Sequence, residues 1–370
     1  MRRNLNDCLK ERENNFDLIR LLAAIAVIFS HSYDLTPGGQ EPIRLFSNGG
    51  GTLGGISVCV FFVISGLLIT KSFATSKNLV QYFSARALRI YPALIVVILT
   101  TAFIIGPLFT TLPLKQYFAS GQTWLYLTNI PALRIRQSLP GLFEYNFYGN
   151  PVNGSLWTLP HEILCYLIVA CIGCLVLKNK FQFLVTAFIV IAIVFFNAHI
   201  FLTFKFLNNL IFFLCGSVMY LCRKKIKLSY TVAGICFVAY LFAIRFVHGS
   251  IFPVFIYGAL LSYITVTIAF ANIGALKVIT SKGDFSYGIY IWAWPVQQIL
   301  VLRYPALNHF ANFFFALIIC IVISALSWHF VEKKALKLKR MFKPVKTLNQ
   351  PDTIIVLAPQ LTPIQQGESI

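Results

Sequence analysis

Apolar residues come in long blocks along this chain, broken by short polar or basic stretches. A helix needs about 20 mostly apolar residues to cross the hydrocarbon core of a bilayer. The blocks predict ten such helices, at 16–33, 54–73, 88–110, 157–177, 182–198, 205–222, 229–246, 250–271, 285–303 and 309–331. The fifth and sixth are the least clearly separated, because the "NAHIFLTFKF" between them is barely polar. The expected fold class is all-α: a polytopic membrane bundle of about ten transmembrane helices. Residues 1–15 read as an N-terminal segment, 16–332 as the membrane domain, and 333–370 as a basic and then disordered tail. The first span has the basic start of a signal peptide, but "SHSYDL" offers no small-x-small cleavage site, so it is expected to be retained. No internal repeat suggests the paired halves common in transporters.

Composition agrees with a membrane protein: 58% of residues are hydrophobic and 12% charged, against about 25% charged in soluble domains. The net charge of +19 is large. It is not a nucleic-acid signature, because the basic residues sit in clusters between apolar blocks rather than along an exposed stripe. With the N-terminus inside, 24 of the 31 Lys and Arg fall on the inner side, so both termini are expected to be cytoplasmic. The longest loop, 111–156, then lies outside. Its "LKQYFASGQTWLYLTNI" reads as an interfacial helix, and long structured loops are often functional. The nine cysteines lie mostly in apolar blocks, and the CxxC of Cys171 and Cys174 has no polar neighbours, so unpaired thiols are expected and no metal site.

An ionisable residue inside a span is costly and marks a candidate site. Arg20 and His31 are eleven residues apart, which on an ideal helix is about 20° from three full turns and roughly 16 Å of rise. They share a face, with Arg20 near the inner surface and His31 in the outer half. Asp17 is placed to pair with Arg20 one turn away. Each also has a plainer reading, Arg20 as a snorkelling anchor and His31 as an interfacial residue at a helix end. Glu162, in "PHEILCY" at the start of the fourth span, is expected at a depth similar to His31, where an imidazole and a carboxylate can form an acid–base pair. The alternative is two unrelated polar residues near a boundary. On the inner side Arg86 and Arg89 share a helix face, and with Lys71 and Arg20 they form either a polyanion pocket or ordinary positive-inside anchors.

These segments, in order, resemble the acyltransferase-3 family of integral-membrane acyltransferases. "FDLIRLLAAIAVIFSH" is similar to its first-helix pattern of an Arg followed eleven residues later by a His. "FFVISGLLITKSF" is similar to an FFxxSGFLI signature, "SARALRIYP" to RxxRIxP, "GSLWTLPHEILCY" to SLWSLxxE, and "FSYGIYIWAWP" to SYxxYLxHxP. Two positions depart from the pattern. Ile163 stands where many members carry a second Glu, and Ala293 where a His is common. No fused extracytoplasmic SGNH esterase-like domain is expected.

The resemblance implies transfer of an acyl group, usually acetyl, from cytoplasmic acyl-CoA to a hydroxyl of an extracytoplasmic carbohydrate such as lipopolysaccharide O-antigen or exopolysaccharide. The setting it implies is the bacterial inner membrane. No permanently bound cofactor is expected; acetyl-CoA is a substrate. The partners are acyl-CoA inside, the carbohydrate outside and the lipid bilayer, with no nucleic acid. The residues that transfer are His31, Glu162 and Arg20 as catalytic, Arg86, Arg89, Lys71 and Arg20 for the donor, and Trp157, Ser155 and Tyr166 for the acceptor. Trp124, Tyr126, Tyr145 and Tyr148 are further candidates for stacking on sugar, or else members of an aromatic belt. The rival classes are a carrier or flippase without acyl chemistry and a non-catalytic membrane sensor.

Overall fold

Each expected span coincides with a helix in the computed structural model, which describes residues 3–11, 13–177, 179–247, 251–272 and 283–342. The helices are α1 (Phe16–Leu35), α2 (Leu53–Thr75), α3 (Leu79–Thr100), α4 (Leu159–Val176), α5 (Lys180–Phe196), α6 (Phe204–Leu221), α7 (Tyr230–Phe246), α8 (Ile251–Ala269), α9 (Ser286–Arg303) and α10 (His309–Ser327). Short polar side chains begin several of them. Thr52 accepts from the Gly55 N–H at 2.9 Å, Asn78 from Gln81 at 2.8 Å and Asn308 from Ala311 at 2.9 Å, satisfying donors that a helix start leaves open.

The chain is a multi-pass integral membrane protein. Seven helical stretches among the described residues are long and apolar enough to cross a bilayer, those built on α1, α2, α3, α4, α6, α8 and α10. α5 and α7 are apolar but only 17 residues long. α9 is long enough but more polar, because protein rather than lipid surrounds it. Its residues from Gly288 to Gln298 are all buried. The Gln297 amide nitrogen donates to the Ile28 carbonyl and to Asn312, both at 2.9 Å, so its donors are satisfied inside the bundle.

α2 and α6 approach each other closely. A Cβ on Gly66 would strike the Phe213 carbonyl, and one on Gly216 would strike that of Val63. Small residues at such a crossing let two backbones touch, which is how helices gain contact where lipid offers no hydrophobic drive.

The N-terminal segment is folded. Arg3–Asn4 pairs antiparallel with Lys227–Leu228, and Leu5, Cys8 and Leu9 pack with Met219, Tyr220 and Phe270. The loop 111–156 is built from short turns rather than one interfacial helix: Leu114–Ala119, Gly121–Leu125 and Tyr126–Asn129. It is clamped onto α9 by the Trp294 indole N–H, which donates to Pro151 O at 2.8 Å, and by Asn146, which donates to Gln298. Beyond residue 332 the chain continues α10 through Lys333–Lys337 and Leu338–Phe342, packed along α3. The rest of the expected tail lies outside the described residues.

Candidate functional site

Four helices carry a polar path from one end of the bundle towards the other. On α1, Asp17 and Arg20 line one cavity, and Ser30, His31 and Asp34 line a second. α9 repeats that order, with Ser286 and Tyr287 in the first and Trp294 in the second. α2 and α4 run the other way. Gly54 and then Ser65 line the second and first cavities on α2, while on α4 Pro160 and His161 line the second and Leu159, Glu162 and Tyr166 the first. The arginine cavity has a volume of about 460 Å³ and the histidine cavity about 520 Å³.

The arginine cavity holds Arg20, Arg86 and Arg89, and its charges are sorted. Arg89 is ion-paired with Asp284, in the turn before α9. Arg20 lies 3.1 Å from Asp17 and 3.7 Å from the same Asp284 carboxylate. The Ser286 N–H donates to Asp284 at 3.2 Å, and its hydroxyl donates as well. Burial opposes ionisation of Asp284, but Arg89 and Arg20, helped by Ser286, outweigh it and hold the carboxyl below its ordinary value. Arg86 is different. Among the described residues it forms no ion pair, and its Nε is buried without a hydrogen-bond partner. It is the cation here whose donors remain open to an anion. The continuation of α10 closes this cavity with Trp328, Leu336 and Lys339.

The histidine cavity lies under the loop 111–156, which contributes Ile135, Gln137, Tyr148 and Pro151. His31 Nδ1 is buried without a partner, and the Trp294 ring stands edge-on at 4.8 Å. Asp34 lies one turn further on but is held by Arg44 at 3.0 Å. His161 is buried with its Nδ1 3.0 Å from the Asn209 amide nitrogen. With the amide as donor, His161 carries its proton on Nε2. Trp157 stands edge-on to it at 5.4 Å, and Lys205 Nζ lies 5.7 Å from the centre of the Trp157 ring. Among the described residues no group of three His, Cys, Asp or Glu is placed to hold a metal ion.

The structure brings together Arg20, Arg86, Arg89, Glu162 and Tyr166 in one cavity and His31 and Trp157 in the other. It does not join His31 to Glu162. Glu162 accepts from the Tyr166 hydroxyl and has Ser65 Oγ at 3.5 Å, and no hydrogen bond or ion pair links it to His31. The reason is rotational. Similar depth says nothing about facing, and each step along a helix turns by about 100°. His161, one residue earlier, is the titratable α4 side chain that shares His31's cavity. Tyr166 likewise faces the arginine cavity and not the acceptor side. Lys71 lines neither cavity, and its ammonium donates to Leu9 O at 2.7 Å, fastening the N-terminal segment. Ser155 is fully buried beside the histidine cavity without lining it. Of these four loop aromatics, Tyr148 alone lines either of the two cavities: Tyr126 is a core residue, Trp124 donates to Phe118 O, and Tyr145 is exposed.

Residues 13–330 match the family model described as "Acyltransferase domain". The chain belongs to the acyltransferase-3 family. This acyltransferase is 30% identical over 346 residues to an O-acetyl transferase of Shigella phage Sf6, covering 88% of this chain and 96% of the relative. It is also 32% identical over 178 residues to nodulation protein 10 of Rhizobium leguminosarum bv. viciae, covering 44% of each chain. No solved structure matches. Family membership favours acyl transfer over the carrier and sensor readings.

Proposed function

We propose that this acyltransferase moves an acetyl group from acetyl-CoA, held at the arginine cavity, to a hydroxyl of a carbohydrate held at the histidine cavity. The observation that carries this reading is the alignment of the two cavities on α1, with Arg20 at one end and His31 at the other. A CoA nucleotide is polyanionic and enters hydrocarbon only at great cost. Arg86 would take its phosphates at the surface while Asp284 holds Arg89 and Arg20 in place around it. The uncharged pantetheine arm then runs from the arginine cavity towards His31, whose level lies roughly 16 Å from that of Arg20.

In the histidine cavity the His31 imidazole takes the proton of an acceptor hydroxyl. The oxygen attacks the thioester carbonyl, the C–S bond breaks, and the CoA thiolate leaves and recovers a proton from the imidazolium. Trp157 and Tyr148 offer faces on which a sugar ring can stack. The distribution of Lys and Arg supports a cytoplasmic arginine cavity and an outward-facing histidine cavity, and the reading sets the protein in the inner membrane of a bacterium. The O-acetyl transferase relative supports acetyl as the group and oxygen as its destination; the acceptor in this reading is a surface glycan such as O-antigen or exopolysaccharide.

The test is His31→Ala and His31→Gln expressed at matched membrane levels, with acetyl measured on the surface glycan by mass spectrometry. Both variants are expected to lose the modification. Normal acetylation in either would remove His31 from the reaction.

A further inference from the structure

The two cavities do not merge. Val58 on α2 and Tyr290 on α9 line both of them, and so form the partition between them. Their places along the helices are intermediate. Val58 lies one turn from Gly54 of the histidine cavity and two turns from Ser65 of the arginine cavity. Tyr290 lies one turn from Ser286 on the arginine side and one turn from Trp294 on the histidine side. Both side chains are buried. The Tyr290 hydroxyl lies 2.9 Å from Thr158 Oγ1, and its ring meets that of Phe61 edge-to-face at 5.7 Å between centres. Its neighbours on α9, Ile289, Ile291 and Ala293, are buried as well.

We infer that Val58 and Tyr290 set the length of the acyl chain that this enzyme transfers. The inference rests on the donor and acceptor assignment proposed above. If the nucleotide stays among the arginines and the hydroxyl is activated at His31, the acyl end of the donor is the part that reaches the Val58–Tyr290 plane. An acetyl group adds one methyl beyond the carbonyl, whereas each longer chain pushes carbon towards a phenol ring tethered through its hydroxyl to Thr158 and a β-branched side chain with one preferred rotamer. A pocket that fits one chain rejects one extra methylene by about 10- to 200-fold.

The experiment uses the full-length protein in membrane vesicles supplied with the glycan of the producing strain and an equimolar mixture of acetyl-CoA and propionyl-CoA. The ratio of acetyl to propionyl on the product is read by mass spectrometry, so expression level cancels. Wild type is expected to favour acetyl by at least about tenfold. Val58→Ala is expected to lower the ratio by roughly an order of magnitude. Val58→Ile should raise it while slowing both transfers, and Val58→Thr, of equal shape, should keep it. The opposed directions for Ala and Ile keep the test decisive if one variant folds poorly. Acetyl transfer by wild type with the same ratio in the Ala and Ile variants would overturn the partition as selector and leave the donor reading standing. Transfer from neither CoA ester by wild type would instead overturn the donor reading itself.

Discussion

Replacing Arg86 by Ala separates a cation that binds substrate from one that holds the fold. Arg86 and Arg89 are one helical turn apart and look equivalent in sequence, but only Arg89 is committed to a carboxylate. Arg86→Ala therefore removes donors with no protein partner to strand. A hydrogen bond to a charged group contributes about 1.5–3 kcal/mol, and 1.4 kcal/mol is about a factor of ten in affinity. Acetyl-CoA binding to the purified protein, by calorimetry in detergent, should weaken by roughly 10- to 100-fold, with little change in thermal unfolding. Arg86→Lys should recover part of the loss, since an ammonium keeps the charge without the planar fork. Arg89→Ala behaves differently. It leaves the buried Asp284 carboxylate with Arg20, at 3.7 Å, as its one remaining ion-pair partner among the described residues, and breaking one side of a buried pair costs about 3–5 kcal/mol, so that variant should unfold at a clearly lower temperature. Unchanged donor affinity in Arg86→Ala would refute the division of roles, as would an Arg89→Ala protein of wild-type stability.

Two further outcomes follow from the packing and the ion pairs. Asp284 has a folded-state pKa below its ordinary value, so its contribution to stability is full above the unfolded value of about 3.9 and is lost as pH falls through the lower, folded one. Unfolding temperature in detergent should show that acid-side loss for wild type, and Asp284→Asn should lack this component while being less stable at neutral pH. Gly66→Val drives a side chain into the Phe213 backbone, and overpacking of that kind costs about 1–3 kcal/mol. A shift of the unfolding temperature is expected, and an unshifted midpoint would mean that α2 and α6 do not need their close contact.

Much of the fold was legible because each long apolar block coincides with a helix, and the helix period put Arg20 and His31 on one face. The clustering of Arg86 and Arg89 near Arg20 was legible for the same reason. What the chain's linear order hid were relations between distant segments. Asp284 lies 195 residues from Arg89, and nothing local announces that it anchors two arginines. Depth alone suggested Glu162 as the partner of His31. A single residue of helical rotation gave that cavity to His161 instead. Lys71 looked like one more pocket cation until the folded N-terminal segment supplied its acceptor in Leu9. Tyr126 looked like a sugar platform because an aromatic in a loop carries no sign of being buried.

The central claim is transfer across the membrane from the arginine side to the histidine side. It is tested most directly with sealed vesicles of known orientation containing the purified protein and enclosed glycan, given isotope-labelled acetyl-CoA on one face only. With label presented at the arginine face, labelled acetyl should accumulate on the glycan inside, and the His31→Ala protein should leave the glycan unlabelled. Labelling that requires acetyl-CoA at the histidine face, or that proceeds equally without His31, would contradict the account.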